Sequence, residues 1–189
     1  MRTERFYNSS DMVLETKRLI LRDWKDSDLE PFAELNANPD VMAYFPSVLS
    51  KSESDHLALT IRNKIESEGW GPWAVELKET QQFIGVVGLQ RVDVNLPVAP
   101  GVEIAWRLAK SHWGRGYATE AAKASLQYAI DVLKVDQVIS FTATTNMRSQ
   151  AVMKKIGMQT DGTEFDHPSI PSEHPLCRHV LYTINLGSR

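Results

Sequence analysis

Apolar positions recur along the chain with two different periods. Leu19-Ile20-Leu21, with Trp24 beyond it, is a short apolar run that predicts a first strand, entered through Thr16-Lys17-Arg18. Asp26-Ser27-Asp28 offers N-caps to a helix through Leu35, and Pro31 falls in its first turns, where proline is tolerated. Pro39 and Pro46 punctuate the stretch after this helix. Ser50 and Glu53 have capping-box spacing for a second helix that reaches Glu68. Leu57, Ile61 and Ile65 share one face of it, and Gly69 is a natural stop. The period then changes. Trp73 to Leu77 and Phe83 to Leu89 are β-type runs joined by a short polar turn, which predicts a hairpin. A proline-bounded loop, Asn95 to Pro100, leads to a fourth strand, Val102 to Leu108. After Gly116 a long helix carries Ala118, Ala121, Ala122, Leu126, Ala129 and Leu133. Val138 to Thr142 is a fifth strand. Met147 to Ile156 is a short helix with Asn146 as N-cap and Gly157 as stop. Met158 onward and His179 to Leu186 supply two last strands around a proline-rich loop.

This order predicts an α/β (α+β) domain, a mixed sheet with helices on its faces. Its 189 residues suit one domain, residues 14–189, with residues 1–13 as a flexible tail. An apolar share of 42% against 24% charged is an ordinary globular balance, so disorder is not expected. One cysteine, Cys177, excludes an internal disulfide framework and a cysteine-rich zinc module. A net charge of −3 argues against a nucleic-acid binder, whose affinity rests on excess Lys and Arg. The first dozen residues have no apolar run of the kind a secretory signal needs, and no stretch approaches a membrane span. The expected compartment is the cytoplasm.

The segment Trp106 to Ala121 carries the chemistry. It reads as a strand, a turn with Gly114 and Gly116, and the start of the long helix. A helix start leaves backbone N–H groups unpaired, and its dipole favours an anion. Glycine lets the backbone approach a ligand closely. Between Glu103 and Glu120 there is no acid, only Arg107, Lys110 and Arg115. Between Asp136 and Asp161 there is again none, only Arg148, Lys154 and Lys155. Two acid-free basic stretches flanking one helix suit a ligand with several phosphates. The alternative is that the glycines merely shape a strand-to-helix turn.

Asn146-Met147-Arg148-Ser149, opening the later helix, adds a second constellation. Together the two segments resemble the GCN5-related N-acetyltransferases, which use acetyl-CoA. The family's pyrophosphate loop, Gln/Arg-x-x-Gly-x-Gly/Ala, falls on Trp113 to Ala118. Gly116 and Ala118 match, and Trp113 stands where Gln or Arg is usual. The wording from Trp113 to Ala121, the Asn146-x-x-Ser149 spacing and the opening Glu15 to Arg22 are similar to the ribosomal-protein N-terminal acetyltransferase branch. The resemblance spans Leu14 to Leu186.

It implies a sheet, mostly antiparallel, splayed between the fourth and fifth strands, with the coenzyme in the gap. Trp106, Arg107 and Leu108 would lie against the coenzyme arm, Trp106 and Leu108 through their backbones. A strand amide between Ile104 and Trp106 would hold the oxyanion. Trp113, Gly114, Arg115, Gly116, Tyr117, Ala118 and Thr119 would cradle the pyrophosphate. Asn146 would hold the arm beyond the splay, or act as a plain helix N-cap. Many relatives place a Tyr acid where this chain has Met153. Here the resemblance implies Ser149 as proton donor or thiol-positioning hydroxyl, the alternative being a hydroxyl bonded back to its own helix. Glu103 would be the general base, directly or through water, the alternative being an exposed strand residue or a salt-bridge partner. Glu120 is expected to anchor the turn.

The loop from Asp166 to His179 holds three of the five histidines and Cys177, but its spacings fit no common zinc site, so no metal is expected. It is instead a candidate acceptor-site loop. Tyr44, Phe45, Trp70 and Trp73 are candidates to line the acceptor cleft, or core. The implied reaction is direct acetyl transfer to a primary amine in a ternary complex. A protein N-terminal α-amine is the first acceptor, and a small amine (antibiotic, polyamine or amino acid) the alternative. A non-catalytic acyl-CoA-binding or sensing domain is the reading of another class. A homodimer is also expected by resemblance.

Overall fold

The computed structural model describes residues 14–187. The expected tail, residues 1–13, lies outside the described residues. Its elements are β1 (Leu14–Glu15), β2 (Leu19–Arg22), α1 (Leu29–Ala37), α2 (Lys51–Glu68), β3 (Pro72–Leu77), β4 (Phe83–Arg91), β5 (Val102–Leu108), α3 (Tyr117–Tyr128), β6 (Gln137–Ala143), α4 (Met147–Lys155), β7 (Glu164–Asp166) and β8 (Arg178–Asn185). The strands form one sheet in the order β1-β2-β3-β4-β5-β6-β8-β7. Neighbours are antiparallel, except that β5 and β6 run parallel.

That parallel contact is the feature that makes a site. β4 and β5 pair along the whole of β5, from Arg91 with Val102 to Gly85 with Leu108. β5 and β6 share one pair, Glu103 with Ile139. The Ser140 hydroxyl donates to the Ile104 carbonyl at 2.9 Å and pins the strands there. Beyond it they diverge, giving the expected splay.

Adjacent residues of β5 show which helices cover which face. The Arg107 guanidinium donates to Asn36 of α1, while the Trp106 indole reaches Ser149 of α4. Side chains alternate along a strand, so α1 and α4 lie on opposite faces. Asn36 bonds Ser54 of α2, which places α2 with α1. Trp106 pairs in register with Val87, and Val87 with Trp73, whose ring meets Tyr128 of α3 edge-on at 5.2 Å. α3 therefore shares the face of α4. The apolar runs read from the sequence fill the layers between, with Trp73, Phe32, Leu19, Leu21, Ile84 and Ile104 wholly buried.

Several local expectations change. Leu14–Glu15 is a strand, and the strand after it ends at Arg22. Trp24 turns inward to donate to the Pro72 carbonyl and packs on Phe32 and Phe83. Asp26–Asp28 is a 3-10 turn before α1. Asp28 does not cap α1 with its side chain, because it is buried against the Arg22 guanidinium at 2.7 Å. Glu76 takes the other side of the same guanidinium at 2.6 Å. Burial opposes the Glu76 carboxylate, but hydrogen bonds from Arg22 and Lys25 hold its pKa below the usual range. The long helix ends in a π turn over Ala129–Leu133. The strand expected from Met158 is broken. Gln159 bridges Thr183, the chain leaves the edge at Thr160 to Gly162, and pairing resumes in β7. The capping box of α2 forms as read, with Ser50 accepting from Glu53 N and Gly69 closing the helix at φ 77°.

Candidate active site

The cleft opens where β5 leaves β6. Arg107 turns its carbonyl toward Gly85 of β4, while Ile104 turns its carbonyl toward Ser140 of β6. By alternation the main-chain groups of Trp106 and Leu108 face the gap. The Leu108 carbonyl there accepts from Trp113 Nε1 at 2.9 Å.

The turn into α3 is built on two left-handed glycines, Gly114 at φ 73° and Gly116 at φ 80°, conformations costly for any residue with a Cβ. Gly116 is the N-cap of α3 and supplies no side-chain cap. The first-turn amides of Tyr117, Ala118 and Thr119 therefore receive no capping bond from it, the arrangement an anion exploits. Arg18 donates from Nη1 to the Arg115 carbonyl at 2.9 Å and lies 4.5 Å over the Tyr117 ring. Glu120 ties the turn to the chain before β2. It accepts from Thr16 Oγ1 at 2.7 Å, Arg18 N at 2.8 Å and Arg18 Nε at 2.7 Å. Burial pushes its pKa up, but these bonds win and hold it below the usual range.

Trp113, the departure from the family wording, has two contacts that explain an aromatic. Its indole N–H ties the turn to the end of β5. Its ring carries the Arg148 guanidinium of α4 at 3.8 Å, a cation–π contact. Arg148 thus stands beside the glycine turn although 35 positions separate it from Trp113.

Across the gap, Asn146 accepts from Ser149 N at 3.2 Å and donates to Thr142 Oγ1 at 2.9 Å. It is the N-cap the sequence predicts. The Ser149 hydroxyl accepts from Trp106 Nε1 at 3.1 Å. This pins the oxygen toward β5 rather than toward the Ser149 helix. Met153 is buried at 1% exposure.

On the α1–α2 face of β5 lie Glu103, Ala105 and Arg107. Glu103 is 8% exposed and accepts from Gln90 Nε2 at 3.0 Å. Burial pushes its pKa up to about 7 against smaller opposing effects of Gln90 and Lys64. Arg107 bonds Asn36 Oδ1 at 2.6 Å and lies 4.2 Å from the Phe45 ring centroid. Lys110 pairs with Asp40 at 2.6 Å in the same loop as Phe45.

The loop 166–179 closes one end of this face. His167 and His179 have ring centroids 5.0 Å apart and pack on Phe141. Desolvation lowers both pKa values, with mutual repulsion adding for His167. His167 Nδ1 accepts from Ser169 N and His174 Nδ1 from Leu176 N, so these rings also shape the loop. Cys177 is buried. Among the described residues no group of three or more His, Cys, Asp and Glu is arranged for a metal ion. Of the proposed cleft aromatics, Trp70 and Trp73 are core and Phe45 is 40% exposed. Among the described residues no helix is long and apolar enough to cross a membrane.

The family model described as Acetyltransferase (GNAT) domain matches residues 18–159. The uncharacterized N-acetyltransferase YnaD of Bacillus subtilis is 30% identical over 173 residues, covering 92% of this chain and 96% of that protein. A protein of Aspergillus fumigatus named FsC-acetyl coenzyme A-N(2)-transacetylase is 38% identical over 166 residues, 84% of this chain and 70% of that one. The crystal structure of a GNAT-family acetyltransferase from Bacillus anthracis superposes with a TM-score of 0.77 at 26% identity, covering 93% of this chain and 99% of that chain. RimL, the ribosomal L7/L12 alpha-N-protein acetyltransferase, solved in complex with coenzyme A, shares the fold at a TM-score of 0.73 and 14% identity, covering 92% of this chain and 97% of that chain. The split sheet, the glycine turn and these likenesses converge: the chain belongs to the GNAT acetyltransferases, acyltransferases that draw their acetyl group from acetyl-CoA.

Proposed function

We propose that this chain transfers the acetyl group of acetyl-CoA to an α-amine by direct attack within the β5–β6 gap. One observation carries the reading. The splay leaves an open strand edge on β5 at Trp106, with the Ser149 hydroxyl of α4 held by the Trp106 indole on one face of the sheet and the buried Glu103 carboxyl three positions back on the same strand, on the other face. A binding or sensing domain has no use for the last two.

The residues present fit the coenzyme. The amides from Gly114 to Thr119 suit its pyrophosphate, with Arg115 and Arg148 as cations. The main chain of Trp106 and Leu108 suits the amide-bearing arm, as an added strand would. Asn146 is already used at both ends of its side chain, so helix capping is its first role. Acetyl-CoA supplies an activated thioester. This chain's residues do the rest. Glu103 accepts the proton of the attacking ammonium, directly or through water. A gap-facing amide of β5 stabilises charge developing on the carbonyl oxygen. Ser149 gives a proton to the departing sulfur. A free thiol has a pKa of about 8.5, so this last step helps without being indispensable.

The α-amine is favoured by Glu103. A base near 7 matches an α-amine at about 7.7–8.0 far better than a lysine at about 10.4. The Aspergillus relative is named for an N(2) nitrogen and RimL for an alpha-N-protein acceptor, which agrees. A protein N-terminus and a small-molecule α-amine both satisfy this chemistry.

Thiol release from acetyl-CoA across N-terminal peptides, amino acids, polyamines and aminoglycosides tests the reading, with coenzyme A binding measured in the same buffer. Turnover with α-amines is expected. Ser149→Ala is expected to slow transfer by about 10–100-fold while sparing coenzyme affinity. Tight coenzyme binding with no turnover on any amine would favour the sensing domain instead.

A further inference from the structure

Arg107 is a guanidinium that the fold fixes without giving it an acid. Its Nη1 donates to Asn36 Oδ1, a neutral acceptor, at 2.6 Å. Asn36 is itself wholly buried and donates from Nδ2 to Ser54 Oγ at 2.9 Å, so α1 and α2 together aim the group. Phe45 covers one face of the guanidinium plane. Arg107 Nε is buried and has no hydrogen-bond partner. Desolvation pulls the pKa down to about 10, and no carboxylate opposes it. Asp40 of the adjacent loop is engaged elsewhere, at Lys110. The guanidinium is part-buried, and leaving its buried Nε N–H without a partner is costly unless a ligand completes it.

Position adds the second argument. Arg107 lies on the face of β5 that carries Glu103, four positions away, or about 13 Å along the strand, with the methyl of Ala105 between them. The glycine turn and Arg148 lie toward α3 and α4 on the other face. An anion at Arg107 is thus on the same face of the sheet as the proposed base. The free Nε and Nη2 form the edge on which arginine takes a carboxylate with two parallel bonds.

We propose that Arg107, aimed by Asn36 and backed by Phe45, binds a carboxylate of the acceptor, so that the substrate class is an amine that also carries a carboxylate within about three residues' length of the nitrogen. This rests on the acetyl-transfer reading above. It adds to that reading which amines the site selects.

The test is calorimetric titration of the protein saturated with coenzyme A, using matched pairs: alanine and alaninamide, trialanine and trialanine amide, and the amides of alanyl-glutamyl-alanine and alanyl-glutaminyl-alanine. In at least one pair the carboxylate member is expected to bind about tenfold or more tightly. Arg107→Gln is expected to abolish that difference, while Arg107→Lys retains part of it. Equal binding, or no binding, in all three pairs overturns the proposal. So does a loss of coenzyme affinity in Arg107→Gln without any carboxylate preference in the wild-type protein, which would assign the cation to the coenzyme. The wild-type pairs decide the matter even if the variants fold poorly. Thiol release measured on the same mixtures keeps the two readings apart. Carboxylate preference in binding without release refutes acetyl transfer and leaves the subsite standing. Release without preference does the reverse.

Discussion

Glu103 is a carboxyl whose environment sets its proton affinity close to neutrality. Burial raises its pKa to about 7, against the Gln90 amide and the more distant Lys64, which favour the charged form. The charged, basic form is populated above about pH 7, so the wild-type rate at low acceptor concentration is expected to climb through that pH. Glu103→Gln should lose this limb and keep the one set by the amine, with a fall in rate of about 10²–10⁴ if Glu103 takes the proton itself. A pH–rate profile of both proteins checks it, and an unchanged profile in the variant would remove Glu103 from the mechanism. Stability has the opposite sign. The unfolded carboxyl titrates near 4.3, so between there and about 7 the folded state binds the extra proton, and stability falls as pH rises through that window. The buried charge costs at most about 4 kcal/mol above pH 7. Glu103→Gln should therefore melt higher than wild type at pH 8 and about equally at pH 4.

At the scale of elements, Glu120 shows how α3 is placed. One carboxylate on α3 gathers three hydrogen bonds from Thr16 and Arg18, more than a hundred positions earlier, and Arg18 also reaches the Arg115 carbonyl. The chain before β2 thus holds the turn whose amides would meet phosphate. Glu120→Ala is expected to cost about 1–2 kcal/mol, a figure reduced for the exposure of Arg18, and to weaken coenzyme A binding. Because the bonds depress this carboxyl, their contribution is present above about pH 4.5 and lost as pH falls through the lower folded value. The melting difference from wild type should then shrink in acid. The glycine turn, the capped α2 and the anchoring role of Glu120 were legible in the sequence because each is local or carried by a known motif. Much else was not. Asp28 reads as a cap by position, but Arg22 claims it. The chain after Met158 reads as one strand, but leaves the edge at Thr160 to Gly162. Trp113 reads as a lapse from a motif, and only the fold supplies its partners, Arg148 and Leu108. Arg107 meets Asn36 across 71 positions, and a cation–amide contact of that kind has no periodicity to betray it.

For the molecule as a whole, the decisive fact is how little backbone joins its two halves at the centre. β1 to β5 form one paired block and β6 to β8 another, and the sheet passes between them through one residue pair and the Ser140–Ile104 bond. Past that point the gap-facing edges of β5 and β6 expose hydrogen-bonding groups with no strand opposite them. An unpaired edge of this kind is a template for an extended ligand. A coenzyme that lies along β5 and reaches the α3 turn and Arg148 of α4 would contact both blocks at once, so it should act as a missing strand and stabilise the sheet cooperatively. At a hundredfold excess over its dissociation constant, a ligand that binds only the folded state adds about 2.7 kcal/mol. For a chain of this length that corresponds to a rise in Tm of about 5–10 °C, growing with the logarithm of coenzyme A concentration. Hydrogen exchange locates the effect. The amides of Trp106 and Leu108 should slow sharply with coenzyme A, while those of Arg107 and Ala105, already turned toward β4, should change less. A rise in Tm with no added protection along the gap-facing positions of β5 would place the ligand elsewhere on the protein and would separate the glycine turn from the split sheet as a binding site.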